Sequence, residues 1–266
     1  MSDKSDPFAS SPFAAGDVNE VPTLARLSLD MSPQPDDTTC GPTCLHAVYR
    51  YFGDELPLED VVKQIEPLPH GGSLAVTLAN HALRRGYSAT IHTYNLQLFD
   101  PTWFDEPKQL AQRLQEQRRY KSEERLLIAT DAYMEFLQLG GKLALRDHTS
   151  TQIRRYLKKQ VPILTGLSAT HLYRCARELD DEYDSVRGEP QGHFVVLSGY
   201  NSHKRRVMVA DPLGHNPAFE GHYYAVDVES LVSAIMLGIL TYDANLLVIR
   251  PPTHALEPKK RDKSPS

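Results

Sequence analysis

The run Gln34-Pro35-Asp36-Asp37-Thr38-Thr39-Cys40-Gly41-Pro42-Thr43-Cys44 constrains this chain most, because a polar loop turns into a helix at a cysteine. Thr38 and Thr39 are residue types that cap helix N-termini, Pro42 suits a first turn, and Gly53 can end the helix. Cys44, Leu45, Val48, Tyr51 and Phe52 share one helical stripe, so the helix is expected to be buried along it. Cys40 then stands where unpaired N–H groups and the positive end of the helix dipole favour an anion. A thiol must become an anion to attack a carbonyl, and a buried helix fixes where its sulfur points. Cys40 is therefore the candidate nucleophile. A lone cysteine is more often a small buried hydrophobe, so its partners decide the matter.

The bulk of the chain narrows the setting. Its 266 residues are 41% hydrophobic, enough for a sizeable core in one large domain. A net charge of −5, without a basic patch interleaved with aromatics, argues against a nucleic-acid partner. The longest apolar run, 231–240, is too short to span a bilayer and contains Ser233 and Gly238. The N-terminus has no apolar signal core, and the cysteines are only Cys40, Cys44 and Cys175. Both features suggest a reducing cytoplasm and free thiols rather than a disulfide scaffold. His171 and Cys175 could place two ligands on one helix face, but no convincing further pair accompanies them, so neither metal nor cofactor is expected.

Residues 1–22 read as a loose arm, 23–250 as the folded domain and 251–266 as a charged tail. Leu24, Leu27 and Leu29 follow at strand-like alternation, so a short strand is expected before the loop at Gln34. Helical spacing follows at 57–65, then from Leu74 to Arg85 after a Gly71-Gly72-Ser73 turn and cap, and Ala89 to Leu98 reads as a strand. The segment 100–147 reads as an all-helical insertion that either shapes one side of a cleft or simply packs. Thr149 or Ser150 can cap another helix, and Val161 to Leu167 is a buried strand. The polar stretch 169–191 could be a mobile flap. The last third is β-rich, with strands at 193–200, 206–210, 223–226 and 244–250 and a helix at 228–236.

A thiol hydrolase needs a nucleophile, a base, a group that orients the base and donors for the oxyanion. His193 opens a strand and Asp211 ends the next one. A short turn between antiparallel neighbours brings the two to one end of a sheet. Asn201 is the rival orienting group. Gln34 precedes Cys40 closely enough to offer its amide beside the Cys40 N–H.

Gln34…Cys40-Gly41-Pro42, His193-Phe194-Val195-Val196-Leu197 and Val209-Ala210-Asp211-Pro212, in this order, resemble the papain-like cysteine peptidases that process bacteriocin leaders after a double glycine. The strand Val161-Pro162-Ile163-Leu164 resembles the strand before their histidine. The resemblance implies an α+β papain-like fold, with a helical half carrying Cys40 packed on an antiparallel sheet carrying His193 and Asp211. It implies Cys40 as nucleophile, His193 as base, Asp211 as orienting residue and Gln34 as oxyanion donor, acting on a peptide or amide substrate. The sequence shows no membrane span and no Walker-type phosphate loop, so an attached transporter is not expected, and it carries the 100–147 insertion in addition. Two other expectations stand beside hydrolysis: acyl or peptidyl transfer on the same scaffold, and an inactive module that binds a peptide segment.

Overall fold

The computed structural model describes residues 25–252 except 70, 181 and 239–243. The expected arm and nearly all of the charged tail lie outside the described residues. In chain order, β1 (Ala25–Arg26) leads through a loop to α1 (Cys40–Tyr51), α2 (Leu58–Gln64) and α3 (Ala75–Arg84), and then to β2 (Ser88–Thr93). Two short 3-10 turns, Pro101–Asp105 and Pro107–Gln109, precede α4 (Leu110–Arg118), α5 (Glu124–Gln138) and β3 (Lys142–Leu145). Next come α6 (Ser150–Lys158), β4 (Ile163–Ser168), α7 (Ala169–Tyr173) and a small hairpin of β5 (Glu178–Leu179) and β6 (Glu182–Tyr183). The chain continues through β7 (Gly192–Asn201), β8 (Arg206–Ala210), β9 (Tyr223–Asp227) and α8 (Val228–Met236), and the last element is β10 (Asn245–Arg250).

One sheet runs β3-β2-β10-β4-β7-β8-β9, with β1 paired to β7. Its alternation sorts the core onto two faces. Phe194, Val196, Leu247 and Ile249 point into one cluster with Cys44, Leu45 and Val48 of α1 and Leu78 of α3. Val195, Leu197, Leu246 and Val248 point into a second cluster with Ile153 and Leu157 of α6 and Leu231 and Ile235 of α8. The α+β papain-like expectation holds, with α1 buried along nearly its whole length.

The 100–147 segment is not all-helical. Its last stretch is β3, which pairs with β2 in parallel, Thr90 opposite Lys142 and Thr93 opposite Leu145. The long helical connection makes that direction possible, because a tight hairpin would force antiparallel pairing. The four-residue edge strand is too short to show a period. Nor does the segment stand apart. Leu114 of α4 and Leu126, Ala129, Tyr133 and Phe136 of α5 bury into the cluster that holds α1 and α3. β2 also ends earlier than expected, because the Asn95 Oδ1 accepts the N–H groups of Gln97 and Leu98 and turns the chain.

Neither helix cap on the α1 side works as the sequence suggests. Thr39 is the residue before α1, yet its hydroxyl is turned back onto Asp36, accepting from the Asp36 N–H and donating to the Asp36 carbonyl. Leu74, not Ser73, is the residue before α3, and it has no side-chain cap to offer. Thr149 does cap α6, accepting from the Gln152 N–H at 3.2 Å.

Phe136→Ala is expected to cost about 3–5 kcal/mol, because it empties a fully buried aromatic site. Urea unfolding should still show a single transition, shifted down. A separate second transition, with the main one unmoved, would mean that the 100–147 segment folds on its own.

Candidate active site

Cys40 opens α1, and Pro42 falls in the first turn where its missing N–H is not needed. No side chain caps this helix start, so no cap claims the N–H groups of Cys40 and Gly41. A side chain at Gly41 would meet Leu78 Cδ1 at 3.2 Å and Ser73 Cβ at 3.3 Å. Glycine there lets α1 lie close against the Gly71–Ser73 turn. Gly71 has φ +83°, and a Cβ on it would stand 2.8 Å from Thr38 Cγ2, so the turn closes tightly on the loop before Cys40.

The sheet supplies the partners. β7 and β8 are antiparallel neighbours, with Val196 opposite Ala210, which puts His193 and Asp211 at the same end. His193 Nε2 lies 2.8 Å from Asp211 Oδ1, and both side chains are buried. That leaves Nδ1 for Cys40, whose sulfur interacts with the same ring. Burial alone would push the His193 imidazole down. The Asp211 carboxylate and the Cys40 thiol outweigh burial and hold it well above the ordinary histidine range. Burial would likewise raise Asp211, but His193 and then the phenols of Tyr173 and Tyr224 hold it below the usual carboxylate range.

Asp211 is fixed from every side. Its Oδ1 also accepts the Leu213 N–H at 2.9 Å. Its Oδ2 accepts Tyr173 Oη at 2.7 Å, Tyr224 Oη at 2.6 Å and Asn216 Nδ2 at 3.2 Å. Its backbone N–H donates to the His222 carbonyl, and the Asp211 carbonyl pairs with His222 Nδ1 at 2.7 Å. Burial and the nearby carboxylate push both phenols far up, so they remain O–H donors. Sequence reading missed Tyr173, Tyr224 and Asn216, and no local signal marks them. Tyr173 comes from α7, so the start of the 169–191 stretch is anchored under the site rather than hung as a flap.

The rival and secondary candidates fall elsewhere. Asn201 is spent on the β7–β8 turn, its Oδ1 accepting from the N–H groups of His203 and Lys204. Cys44 is fully buried one turn into α1, where burial pushes its thiol well up. Its Sγ contacts the Phe194 carbonyl at 3.2 Å, which ties α1 to β7. α7 ends at Tyr173 and Arg174 takes φ 55°, so His171 and Cys175 do not share a helix face. All three cysteines are free thiols. The loop histidine His70, whose place beside Gly71 and Gly72 makes it a candidate for touching substrate, lies outside the described residues. Gln34 is tethered to the Asp211 loop, its N–H donating to the Pro212 carbonyl at 2.9 Å. Its side-chain amide donates to the Asp36 carbonyl at 2.9 Å.

That cleft has a volume of about 310 Å³ and runs between the Cys40 helix start with the Gly71–Ser73 turn on one side and the ends of β4 and β7 on the other. Cys40 and His193 both open into it, while Asp211 is buried behind His193. The profile of the Peptidase_C39-like family matches residues 18–232, which include this whole constellation. The chain belongs to that family. No curated protein matches it. Among solved structures, the C39-like chain is similar to a putative C39-like peptidase from Bacillus anthracis, at 14% identity and a TM-score of 0.46, over 85% of this chain and 96% of the other. It is also similar to a double glycine motif protease from an AMS/PCAT transporter, solved with a leader peptide, at 13% identity and a TM-score of 0.43, over 85% and 94%. Among the described residues of this C39-like protein, no helix is long and apolar enough to cross a membrane.

The His193–Asp211 pair gives folding a pH signature. A raised histidine contributes stability in full below its unfolded value of about 6.5 and loses it as pH rises through the folded value. A depressed carboxylate contributes in full above about 3.9 and loses it as pH falls through its folded value. Both statements describe one interaction, which is at full strength between those limits. His193→Ala is therefore expected to lose about 3–5 kcal/mol in the window around pH 5–6, and the gap to the native protein should narrow as pH rises toward 10. Urea melts at pH 5.5, 7.5 and 9 read this directly; a gap that stays constant across them would contradict the pairing.

Proposed function

We propose that this C39-like chain is a cysteine hydrolase that cleaves a peptide or amide bond in the cytoplasm through Cys40, His193 and Asp211. The observation that carries the reading is the buried His193, held on Asp211 through Nε2 with its other nitrogen left for the Cys40 thiol. Before substrate arrives His193 already holds the Cys40 proton as an imidazolium, and the thiolate left on Cys40 attacks the substrate carbonyl carbon. The negative charge passes to the carbonyl oxygen, which the Cys40 N–H receives at the uncapped start of α1. As the C–N bond breaks, His193 returns its proton to the leaving nitrogen, leaving an acyl thioester on Cys40. Water, deprotonated by His193, then adds to the thioester and releases the acid and the free thiol.

Gln34 is the second oxyanion donor in this reading. A side-chain amide carries two N–H donors, and only one is engaged with the Asp36 carbonyl, so the other can meet an oxyanion brought against the Cys40 N–H. Asp211 keeps the imidazole in one orientation and stabilises its charged form, and the two tyrosines keep Asp211 an acceptor.

Incubating the protein with a peptide library and reading new termini by mass spectrometry tests this. Cys40→Ala should abolish cleavage, and His193→Ala should lower it by at least 10²–10⁴-fold. Gln34→Ala should slow it by about 10²–10³-fold without abolishing it. Cleavage that persists in Cys40→Ala would refute the reading, and full activity in Gln34→Ala would remove Gln34 from it. Product that forms only when an amine is added would replace hydrolysis by acyl transfer.

A further inference from the structure

Arg125 brings a permanent positive charge into the cleft that holds Cys40 and His193. It stands in the first turn of α5, next to the buried Leu126. Its Nε is buried and has no hydrogen-bond partner among the described residues. Asp37 and Glu178 line the same cleft, yet among the described residues no carboxylate pairs with Arg125. Neighbouring arginines are answered: Arg84 by Glu135, Arg85 by Asp54 and Arg118 by Asp131. Burying a charged donor without an acceptor is unfavourable, and such a group calls for a ligand that supplies one. The planar fork of a guanidinium matches a carboxylate, which it can hold through two parallel N–H donors. Gly71 and Gly72 on one wall and Gly166 and Gly192 on the other present backbone alone, so an extended chain can pass close to both walls. A cleft of about 310 Å³ holds only a few residues, so whatever Arg125 binds lies within a few residues of the bond at Cys40.

We infer that Arg125 is a specificity residue that binds a carboxylate of the substrate, either an acidic side chain near the attacked bond or the terminal carboxylate of the chain. The inference rests on the reading of Cys40 as nucleophile and adds the substrate class to it. It also gives the 100–147 segment a task, because that segment supplies the charge that the Cys40 helix and the sheet do not.

Cysteine-directed peptide probes test this without knowing the natural substrate. Bromoacetyl peptides carry glutamate, or isosteric glutamine, one or two residues from the reactive carbon. Bromoacetyl diglycine is used as the free acid and as the amide. Peptidyl fluoromethyl ketones with the same glutamate and glutamine pairs extend in the opposite direction along the cleft. The second-order rate of Cys40 modification is read by intact mass and peptide mapping. At least one acid should react about tenfold faster than its amide, the size of effect expected from a charge-assisted hydrogen bond. That ratio should fall to about one in Arg125→Gln and be partly kept in Arg125→Lys, with native melting curves confirming that both variants fold. A glutamate preference assigns a side-chain carboxylate, and a preference for the diglycine acid assigns a chain terminus. Equal rates for acids and amides in every series, with Cys40 still modified ahead of Cys175, would overturn the role of Arg125, as would an acid preference that survives Arg125→Gln. Modification that does not favour Cys40 over Cys175 would overturn the nucleophile reading beneath it. The native acid-to-amide ratio stands even if the glutamine variant fails to fold.

Discussion

The hydrogen bond from His193 to Asp211 is the contact on which the rest of the site depends. A carboxylate taken wholly out of water is unfavourable unless it is paired and its lone pairs are filled. Asp211 meets both conditions, with an imidazole and a backbone N–H on one oxygen and two phenols and an amide on the other. These donors come from α7, from β9 and from the loop after β8, so several separate parts of the chain must be in place before the pair can form. The stacked rings of Phe219 and Tyr224, 3.9 Å apart, add rigidity beneath it. The same burial that makes the carboxylate demanding also makes it effective. With little water to screen it, its charge holds His193 as a cation facing Cys40.

The two sides of the cleft are joined by contacts that cross it near the chemistry. Cys44 ties α1 to the Phe194 carbonyl on β7, and the Gln34 backbone is bonded to the carbonyl after Asp211. Close packing at Gly41 and Gly71 sets the gap in which the substrate would lie. A displaced start of α1 would therefore have to break contacts to β7 and to the loop after Asp211 together.

The backbone of this arrangement was legible before any coordinates. Cys40, His193 and Asp211 could be placed because each sits at an element boundary that leaves a local mark: Pro42 after the helix start, alternating apolar residues after His193, Pro212 after Asp211. β7 and β8 are joined by a short turn, so their register follows from the sequence between them. What was not legible depends on contacts between distant segments. Tyr173 and Tyr224 lie 38 and 13 residues from Asp211, with nothing around either to show where its hydroxyl points. β3 was missed because one exposed and three half-buried residues at a sheet edge carry no period. Thr39 was misjudged as a cap because its hydroxyl found a closer partner in Asp36. Arg125 went unremarked because its meaning lies in the absence of an acceptor around it, which only the fold can show.

The central claim is that His193 is held as an imidazolium between Asp211 and Cys40. Nitrogen-15 NMR of the histidine ring signals, assigned with His193→Gln, measures this directly. At pH 7, both ring nitrogens of His193 should carry protons in the native protein. Replacing the carboxylate in Asp211→Asn should return the ring to a neutral form at the same pH. A neutral His193 tautomer in the native protein at pH 7, unchanged by Asp211→Asn, would contradict the claim.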